Sequence, residues 1–153
     1  MEIIICPTVD DVARVAAGRI VQTLSERDDP VLGLATGSSP LAIYADLRRR
    51  VEDGHLDLSH TAAFALDEYV GLPPDHVQSY AETIRTTVTE PLGLDPAKVR
   101  VPDGMAHDIA VACQQYEDAI RAAGGIDVQI LGIGSNGHIG FNEPTSSFAS
   151  RTR

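Results

Sequence analysis

Cysteine is scarce in this sequence, which holds only Cys6 and Cys113 in 153 residues. Two cysteines are too few for a disulfide framework, and we expect both to be free, buried thiols of a cytosolic protein. Long apolar runs are also missing, since none approaches the ~18 residues that a membrane helix needs. The first residues, MEIIICP, are too short and too acidic for a signal peptide. The sequence therefore predicts a cytoplasmic protein that does not bind membranes.

Basic residues are outnumbered, with 12 Lys and Arg against 22 Asp and Glu, and the formal net charge is −10. A surface this acidic repels nucleic acid and anionic lipid, so we expect neither as a partner. A small anion stays open as a ligand, because a local pocket can have a field of the opposite sign. Hydrophobic residues make up 43% of the chain, which suits one ordinary domain with a core.

Apolar runs of strand length alternate along the chain with segments of helical period. In the first helical segment Val12, Ala16, Ile20 and Leu24 recur every four residues, and Thr8 begins a capping box. The patterns predict strands at 2–6, 31–35, 62–66, 99–101 and 126–133, the last being the strongest, and helices at 8–27, 39–53, 77–89 and 108–123.

This alternation predicts an α/β fold with a doubly wound, mostly parallel sheet and helices on both faces. The apolar runs lack polar alternation, as expected of strands covered on both sides. Ligands of such sheets bind beyond the carboxyl ends of the strands. Reactive side chains are therefore expected in the loops that come directly after the strands.

The loop after the second predicted strand reads ATGSSP, residues 35–40. Gly37 permits a tight turn, while Thr36, Ser38 and Ser39 offer hydroxyls and amides just before a helix. This combination suits a phosphate or another oxyanion. An ordinary capped turn between a strand and a helix would have the same composition, so both interpretations stand.

The loop after the third predicted strand begins with two carboxylates, Asp67 and Glu68, in LDEYVGLPP. Neighbours in an extended chain point to opposite sides, so we expect only one of them to face a given pocket. A solvated acidic turn is the alternative. The position beside the ATGSSP loop, at the carboxyl edge of the sheet, favours a functional carboxylate.

The loop after the last strand, GIGSNGHIGFNEP at 132–144, is dense in glycine and holds His138. The other four histidines lie in polar, loop-like contexts. A carboxylate at Glu143 could orient the imidazole and make an acid/base pair, if the loop folds back. A glycine-rich turn with a hydrogen-bonded histidine is the alternative. Zinc-ligand spacings and a G-x-S-x-G elbow are missing, so we expect neither a metal site nor a serine hydrolase.

The segments LGLATGSSP, LDEYVGL, GIGSNGHIGFNEP and SRTR occur in this order and closely resemble the glucosamine-6-phosphate deaminase family. The resemblance implies a sugar-phosphate isomerase-like variant of the Rossmann fold. It also implies an enzyme, of the hydrolase class, that converts glucosamine 6-phosphate and water to fructose 6-phosphate and ammonia. Ring opening and aldose–ketose isomerisation precede hydrolysis of an imine, so no cofactor is expected. The partner would be a small sugar phosphate, and a homo-oligomer stays open.

The same resemblance implies a role for individual residues. Asp67 matches the base that moves a proton between C2 and C1, His138 the group that opens the pyranose ring, and Glu143 its carboxylate partner. Gly37 and Ser38, with their neighbours, match part of a phosphate cradle. Positions that bind an allosteric sugar phosphate in regulated members correspond here to Ser146 and Arg153.

Two departures from the family pattern stand out. Asn136 stands where some members carry Asp, and an amide cannot stabilise an imidazolium as a carboxylate does. The chain also ends at SRTR, residues 150–153, where members continue. We therefore expect residues 1–153 to be the N-terminal portion of a longer domain, with an open sheet edge and little activity alone.

Two other functions remain as alternatives. The sister family of 6-phosphogluconolactonases shares the fold and a Gly-His loop, but FNEP is not expected there. A sugar-phosphate sensing module could keep the phosphate loop and lose the acid/base residues. Asp67, His138 and Glu143 are all present, which favours the deaminase.

Overall fold

A computed structural model describes residues 2–147 and 149–153 of the chain. Four α-helices and four strands alternate along it, with a π-helix and a 3₁₀ turn between α3 and β3. In chain order they are α1 Val9–Ser25, β1 Val31–Leu34, α2 Leu41–Glu52, β2 Ala62–Ala65, α3 Tyr80–Ile84, the π-helix Arg85–Thr89, the 3₁₀ turn Pro96–Lys98, β3 Val99–Arg100, α4 Ile109–Ala122 and β4 Val128–Gln129.

The four strands form one sheet in the order β3-β2-β1-β4. Every pairing is parallel: Val31 lies opposite Ala62, Leu32 opposite Val128, and Ala63 opposite Val99. The carboxyl ends of β1 and β2 therefore lie side by side. The expected parallel sheet is confirmed.

Helices cover both faces of this sheet. On one face α1, α2 and the helical segment 80–92 enclose the main core, which includes Ile20, Leu32, Leu47 and Val88. On the other face α4 packs through Tyr116 on Val31 and Phe64, and the Tyr116 and Phe64 rings meet edge to face at 5.7 Å. Successive residues of each strand thus pack into different cores, and for this reason the strand sequences are uninterrupted apolar runs.

The helix starts follow the capping residues. The Thr8 hydroxyl accepts a hydrogen bond from the Asp11 amide at 3.1 Å and donates one to the Asp11 carboxylate at 2.7 Å. Asp108 caps α4 through the Val111 amide in the same way. Within the described ranges, no helix is long and apolar enough to cross a membrane.

Two strand predictions were wrong: one strand does not form, and another is shorter than predicted. Residues 2–6 are not a strand, because they find no neighbour among the described residues that would pair their backbone, and residues 2–5 are exposed, with Ile5 at 92%. The expected strand 126–133 shrinks to Val128–Gln129. Since β1 ends at Leu34, the ladder stops at the bond from the Ile130 amide to the Gly33 carbonyl. Ile133 is consequently 74% exposed.

Two helix predictions and one on the cysteines also need correction. The buried stripe of α1 includes Ala13 and Ala17, whereas Val12 is 48% exposed. The predicted helix 77–89 begins only at Tyr80, because Ser79 caps it, and it continues as a π-helix. Both cysteines are free, as expected, but they are half-buried instead of buried.

Gly104 offers a test of the packing that supports the site. A methyl group there would lie 2.1 Å from the Tyr69 carbonyl oxygen, which is backbone, so Gly104→Ala must displace the loop after β2. We expect a loss of about 1–3 kcal/mol in the free energy of unfolding, measured by urea denaturation.

The matched control is Gly18→Ala, within α1, where a methyl group meets no heavy atom within 4 Å. That change should stabilise the protein by about 0.5–1 kcal/mol, since alanine is the better helix former. Equal stability of the Gly104→Ala variant and the parent would show that the two loops are not in close contact.

Candidate active site

A cavity of about 450 Å³ opens at the carboxyl edge of the sheet. Three loops line it: 35–39 after β1, 66–67 after β2, and 132–143 after β4, and Tyr80 of α3 closes one side. The three polar loops that the sequence singled out therefore surround one space.

The loop after β1 is held by a buried tyrosine. The Tyr44 hydroxyl donates to the Ala35 carbonyl oxygen at 2.8 Å and accepts from the Ala35 amide at 3.1 Å. Gly37 comes next with φ of +96°, a left-handed conformation that L side chains rarely adopt. The chain then enters α2 at Pro40, which offers no side-chain cap. Hydroxyls and a helix N-terminus face the cavity and can bind an oxyanion.

Asp67 lies just beyond the carboxyl end of β2, which a second buried tyrosine holds. The Tyr116 hydroxyl donates to the Ala65 carbonyl oxygen at 2.7 Å. Burial and then the neighbouring charge of Glu68 raise the pKa of Asp67 from 3.8 to about 6. A carboxylate with this pKa is mostly ionised at neutral pH and can take a proton, and it holds that proton more tightly than an ordinary carboxylate before returning it.

Glu68 is turned away from this role. Its carboxylate accepts from the backbone amides of Tyr69, Tyr80 and Ala81 at 2.8, 3.0 and 2.8 Å. Of the two adjacent acids, Asp67 lines the main cavity and Glu68 does not.

His138 contacts Glu143 through Asn136. The Asn136 amide nitrogen donates to Glu143 Oε2 at 2.9 Å, and its oxygen lies 2.7 Å from His138 Nδ1. Because a carboxylate only accepts, it fixes the amide so that the oxygen faces the imidazole. Nδ1 must then donate, which leaves Nε2 with a free lone pair.

The glycines of this loop make room for the imidazole and for Asp67. A methyl group on Gly134 would lie 2.3 Å from His138 Cε1, so the ring sits directly against that backbone. A methyl group on Gly140 would lie 3.3 Å from Asp67 Oδ2. The histidine loop and the Asp67 loop are therefore in contact.

Ser146 and Arg153 lie on the opposite side of the loop. Arg153 Nη2 donates to Ser146 Oγ at 3.0 Å and to Asn142 Oδ1 at 3.4 Å. Arg153 lines a second cavity of about 390 Å³, which borders Asp67 from behind. The structure thus brings Ser146 and Arg153 together, and it also brings together the residues that line the main cavity.

A cluster of aromatic rings at the cavity was not predicted from the sequence. Tyr80 and Phe141 line the cavity, and Tyr69 packs against both, with ring centroids 4.9–5.7 Å apart. Burial, with the Tyr69 hydroxyl at 3.2 Å, raises the pKa of Tyr80 to about 12. The sequence feature that could have indicated Tyr80 is its position directly after the capping residue Ser79, in QSYAET.

Positive charge is not supplied by the described residues that line the main cavity, since none of them is Lys or Arg. Within 2–147 and 149–153, no group of three or more His, Cys, Asp or Glu is arranged to hold a metal ion. The groups that these residues offer to an oxyanion are therefore the hydroxyls, the backbone amides and the α2 N-terminus.

The raised pKa of Asp67 has a consequence for stability. The folded state binds this proton more tightly than the unfolded state, so stability falls as pH rises from about 4 to about 6 and stays lower above. Asp67→Asn should therefore raise the free energy of unfolding at pH 7 by about 1 kcal/mol, a value reduced for partial exposure, and by little at pH 4.

Urea denaturation at steps from pH 4 to pH 8 measures this difference. Asp75→Asn, at an exposed carboxylate, is the control for the loss of one negative charge. If both variants differ from the parent by the same amount at every pH, Asp67 does not have the raised pKa.

Two relatives that have high sequence similarity to this chain are both glucosamine-6-phosphate deaminases. The chain is 60% identical over 153 residues to a glucosamine-6-phosphate deaminase of Cutibacterium acnes, and 52% identical to one of Mycolicibacterium smegmatis. Each match covers 100% of this chain and 59% of the relative. The chain thus spans less than two thirds of the length of these proteins.

The fold of this chain is similar to those of solved deaminase and lactonase structures. A monomeric glucosamine-6-phosphate deaminase superposes with a TM-score of 0.94 at 38% identity, covering 99% of this chain and 63% of that one. A 6-phosphogluconolactonase of Thermotoga maritima gives 0.74 at 26% identity, covering 90% and 61%. The family model described as glucosamine-6-phosphate isomerases/6-phosphogluconolactonase matches residues 7–141, and the chain belongs to that family.

Proposed function

We propose that the protein is a glucosamine-6-phosphate deaminase of the cytosol, which converts glucosamine 6-phosphate and water to fructose 6-phosphate and ammonia. The observation that carries the proposal is the meeting of Asp67, with its pKa near 6, and the His138–Asn136–Glu143 chain at one cavity. The names and identities of the relatives support the same reaction.

The phosphate end of the substrate binds at residues 36–39. Hydroxyls of Thr36, Ser38 and Ser39 and the amides at the start of α2 donate hydrogen bonds to phosphate oxygens. Gly37 lets the backbone approach the ligand closely. The net charge of −10 does not oppose this, because the local donors set the field at short range.

His138 opens the sugar ring. With Nδ1–H donated to Asn136, Nε2 takes the proton of the C1 hydroxyl and delivers it to the ring oxygen as the bond from that oxygen to C1 breaks. Glu143 holds the amide of Asn136 and so maintains the tautomer. The product of this step is the open-chain aldehyde.

Asp67 moves the proton of the isomerisation. The C2 hydrogen, next to the C1 aldehyde and the carbon-bound ammonium, is acidic enough for a carboxylate to remove. Asp67 takes it and returns it to C1, while one proton of the ammonium passes to O1, which leaves a hydroxyl at C1 and a protonated imine at C2. Water adds to the imine and ammonia departs, so the reaction consumes one water and needs no redox partner. Burial of Asp67 strengthens it as a base.

Ser146 and Arg153 belong to a second, regulatory subsite in this proposal. Their direct hydrogen bond places a guanidinium and a hydroxyl at one surface position. Both groups can donate to a phosphate, so the subsite suits an allosteric sugar phosphate.

The first test measures ammonia and fructose 6-phosphate release by the full-length protein from glucosamine 6-phosphate. Asp67→Asn should lower kcat by about 10²–10⁴-fold, the usual loss on removal of a general base, and leave substrate binding in place. Exchange of the C2 proton with solvent, measured by NMR, reports the base directly. Asp75→Asn should keep the activity of the parent.

The same preparation is supplied with 6-phosphogluconolactone, because a solved 6-phosphogluconolactonase shares the fold. Hydrolysis of the lactone without ammonia release would assign the site to that reaction. Sugar-phosphate binding without any turnover would assign a sensing role. C2 exchange at the parental rate in the Asp67→Asn variant would remove Asp67 from the role of base.

The second test concerns His138. His138→Gln should slow turnover of the pyranose substrate more than turnover of an open-chain analogue, because the analogue bypasses ring opening. The ratio of the two kcat/KM values measures the effect, with the exposed His76→Gln as the control. An equal loss on both substrates would contradict the ring-opening role.

A further inference from the structure

Glu68 connects the loop that holds Asp67 to the start of α3. Its Oε1 accepts from the amides of Tyr69 and Tyr80, and its Oε2 from the amide of Ala81. Tyr80 and Ala81 are the first two residues of α3, and Ser79 accepts from the amide of Glu82, the third. Side chains therefore satisfy the first three amides of this helix, two of them from a residue twelve positions earlier in the chain.

A carboxylate in this position is more than an ordinary cap. The amides at a helix start carry partial positive charge and hold an anion firmly. Because Asp67 and Glu68 are adjacent in the chain, fixing Glu68 against α3 restrains the backbone of Asp67, whose side chain lines the cavity. The amide of Tyr80 binds Glu68 while its ring lines the cavity that Asp67 faces.

We infer that Glu68 is a positioning residue of the proposed deaminase, which fixes Asp67 in the cavity by binding the start of α3. The kinetic consequences of this inference rest on the proposed function, whereas its effect on the titration of Asp67 does not. Misplacement of a reacting group by ~1 Å can cost about 10²-fold in rate. The half-buried carboxylate of Glu68 also keeps a negative charge beside Asp67.

The charge of Glu68 has a measurable effect on the pKa of Asp67. The pKa of Asp67 is raised first by burial and then by the charge of Glu68, so removal of the charge lowers it. Other titratable or charged groups border the cavities that Asp67 lines or lie near it, but among the described residues the only neighbouring charge that shifts its pKa is that of Glu68. They are Tyr80 of α3, Cys113, Tyr116 and Glu117 of α4, Asp103 of the loop after β3, His138 and Glu143 of the histidine loop, and Arg151 and Arg153 of the last segment.

The experiment uses the full-length protein and the variant Glu68→Gln. A neutral amide accepts on one atom only, so it cannot receive all three backbone amides. We expect the midpoint of the Asp67 carboxyl titration, measured by ¹³C NMR, to fall below the parental value of about 6. The acid limb of the pH profile of kcat/KM should move to lower pH with it, and kcat should fall by about 10-fold or more with KM within about threefold.

Two controls separate the role from general effects. Ser79→Ala removes the other cap of α3, which contacts Glu82 and Pro74, without removing a charge. Glu82→Gln removes a charge from the same helix, where the side chain pairs with Arg85. Both variants should keep the parental Asp67 titration. A shift of equal size in either control, or no shift in Glu68→Gln, overturns the inference.

Glu68→Asp decides the matter if Glu68→Gln does not fold. It keeps the charge but is shorter by one methylene, so it does not span to the amides of both Tyr80 and Ala81. An Asp67 titration near that of the parent with a reduced kcat supports the positioning role, and a parental kcat overturns it. If the parent releases no ammonia, the proposed function fails, while the titration, which needs no substrate, still decides the role of Glu68.

Discussion

The arrangement of the site depends on how the carboxyl ends of β1 and β2 are held. Parallel pairing puts Leu34 opposite Ala65, so both strands end at the same level. Two buried tyrosines then fix the start of the loop after each strand, Tyr44 on one face by bonding Ala35 and Tyr116 on the other by bonding Ala65. A loop that leaves a strand without such a bond could move by more than the ~0.5 Å that a catalytic arrangement tolerates. The helices therefore contribute to the site through two hydroxyl groups as well as through apolar burial.

The charges of the cavity fit a substrate that is itself dipolar. An amino-sugar phosphate carries an ammonium on C2 and a phosphate on C6. The cavity offers Asp67 at one side and the uncapped start of α2 at another. Without a cation among the described lining residues, nothing there lowers the pKa of Asp67, but the ammonium of the proposed substrate would do so on binding. Binding of the amino sugar would thus favour the ionised form of the base, an effect that 6-phosphogluconolactone cannot produce because it carries no ammonium.

The sequence predicted most of this arrangement because its main signals are local. Apolar runs, capping residues and loops after strands depend on neighbours in the chain, so β1, β2, α2 and α4 lie close to their predicted positions. Residues 2–6 and 131–133 were mispredicted because a strand also requires a partner, which apolar composition does not report. Tyr80 was missed for a similar reason, since only the fold brings α3 beside the Asp67 loop. The pairing of Glu68 with α3 spans twelve residues and has no periodic pattern to reveal it.

The position of Asn136 shows how such non-local contacts determine the chemistry. The sequence suggested a weaker acid/base pair, because an amide does not stabilise an imidazolium as a carboxylate does. In the fold, however, residue 136 lies between His138 and Glu143, with Glu143 Oε2 only 2.9 Å from the Asn136 nitrogen. A carboxylate at 136 would face a second carboxylate at hydrogen-bonding distance, and one of the two would have to bind a proton. The amide avoids this conflict, because it donates to Glu143 and accepts from His138 at once. It therefore fixes one tautomer of the imidazole and leaves Nε2 free to take the first proton of the proposed ring opening.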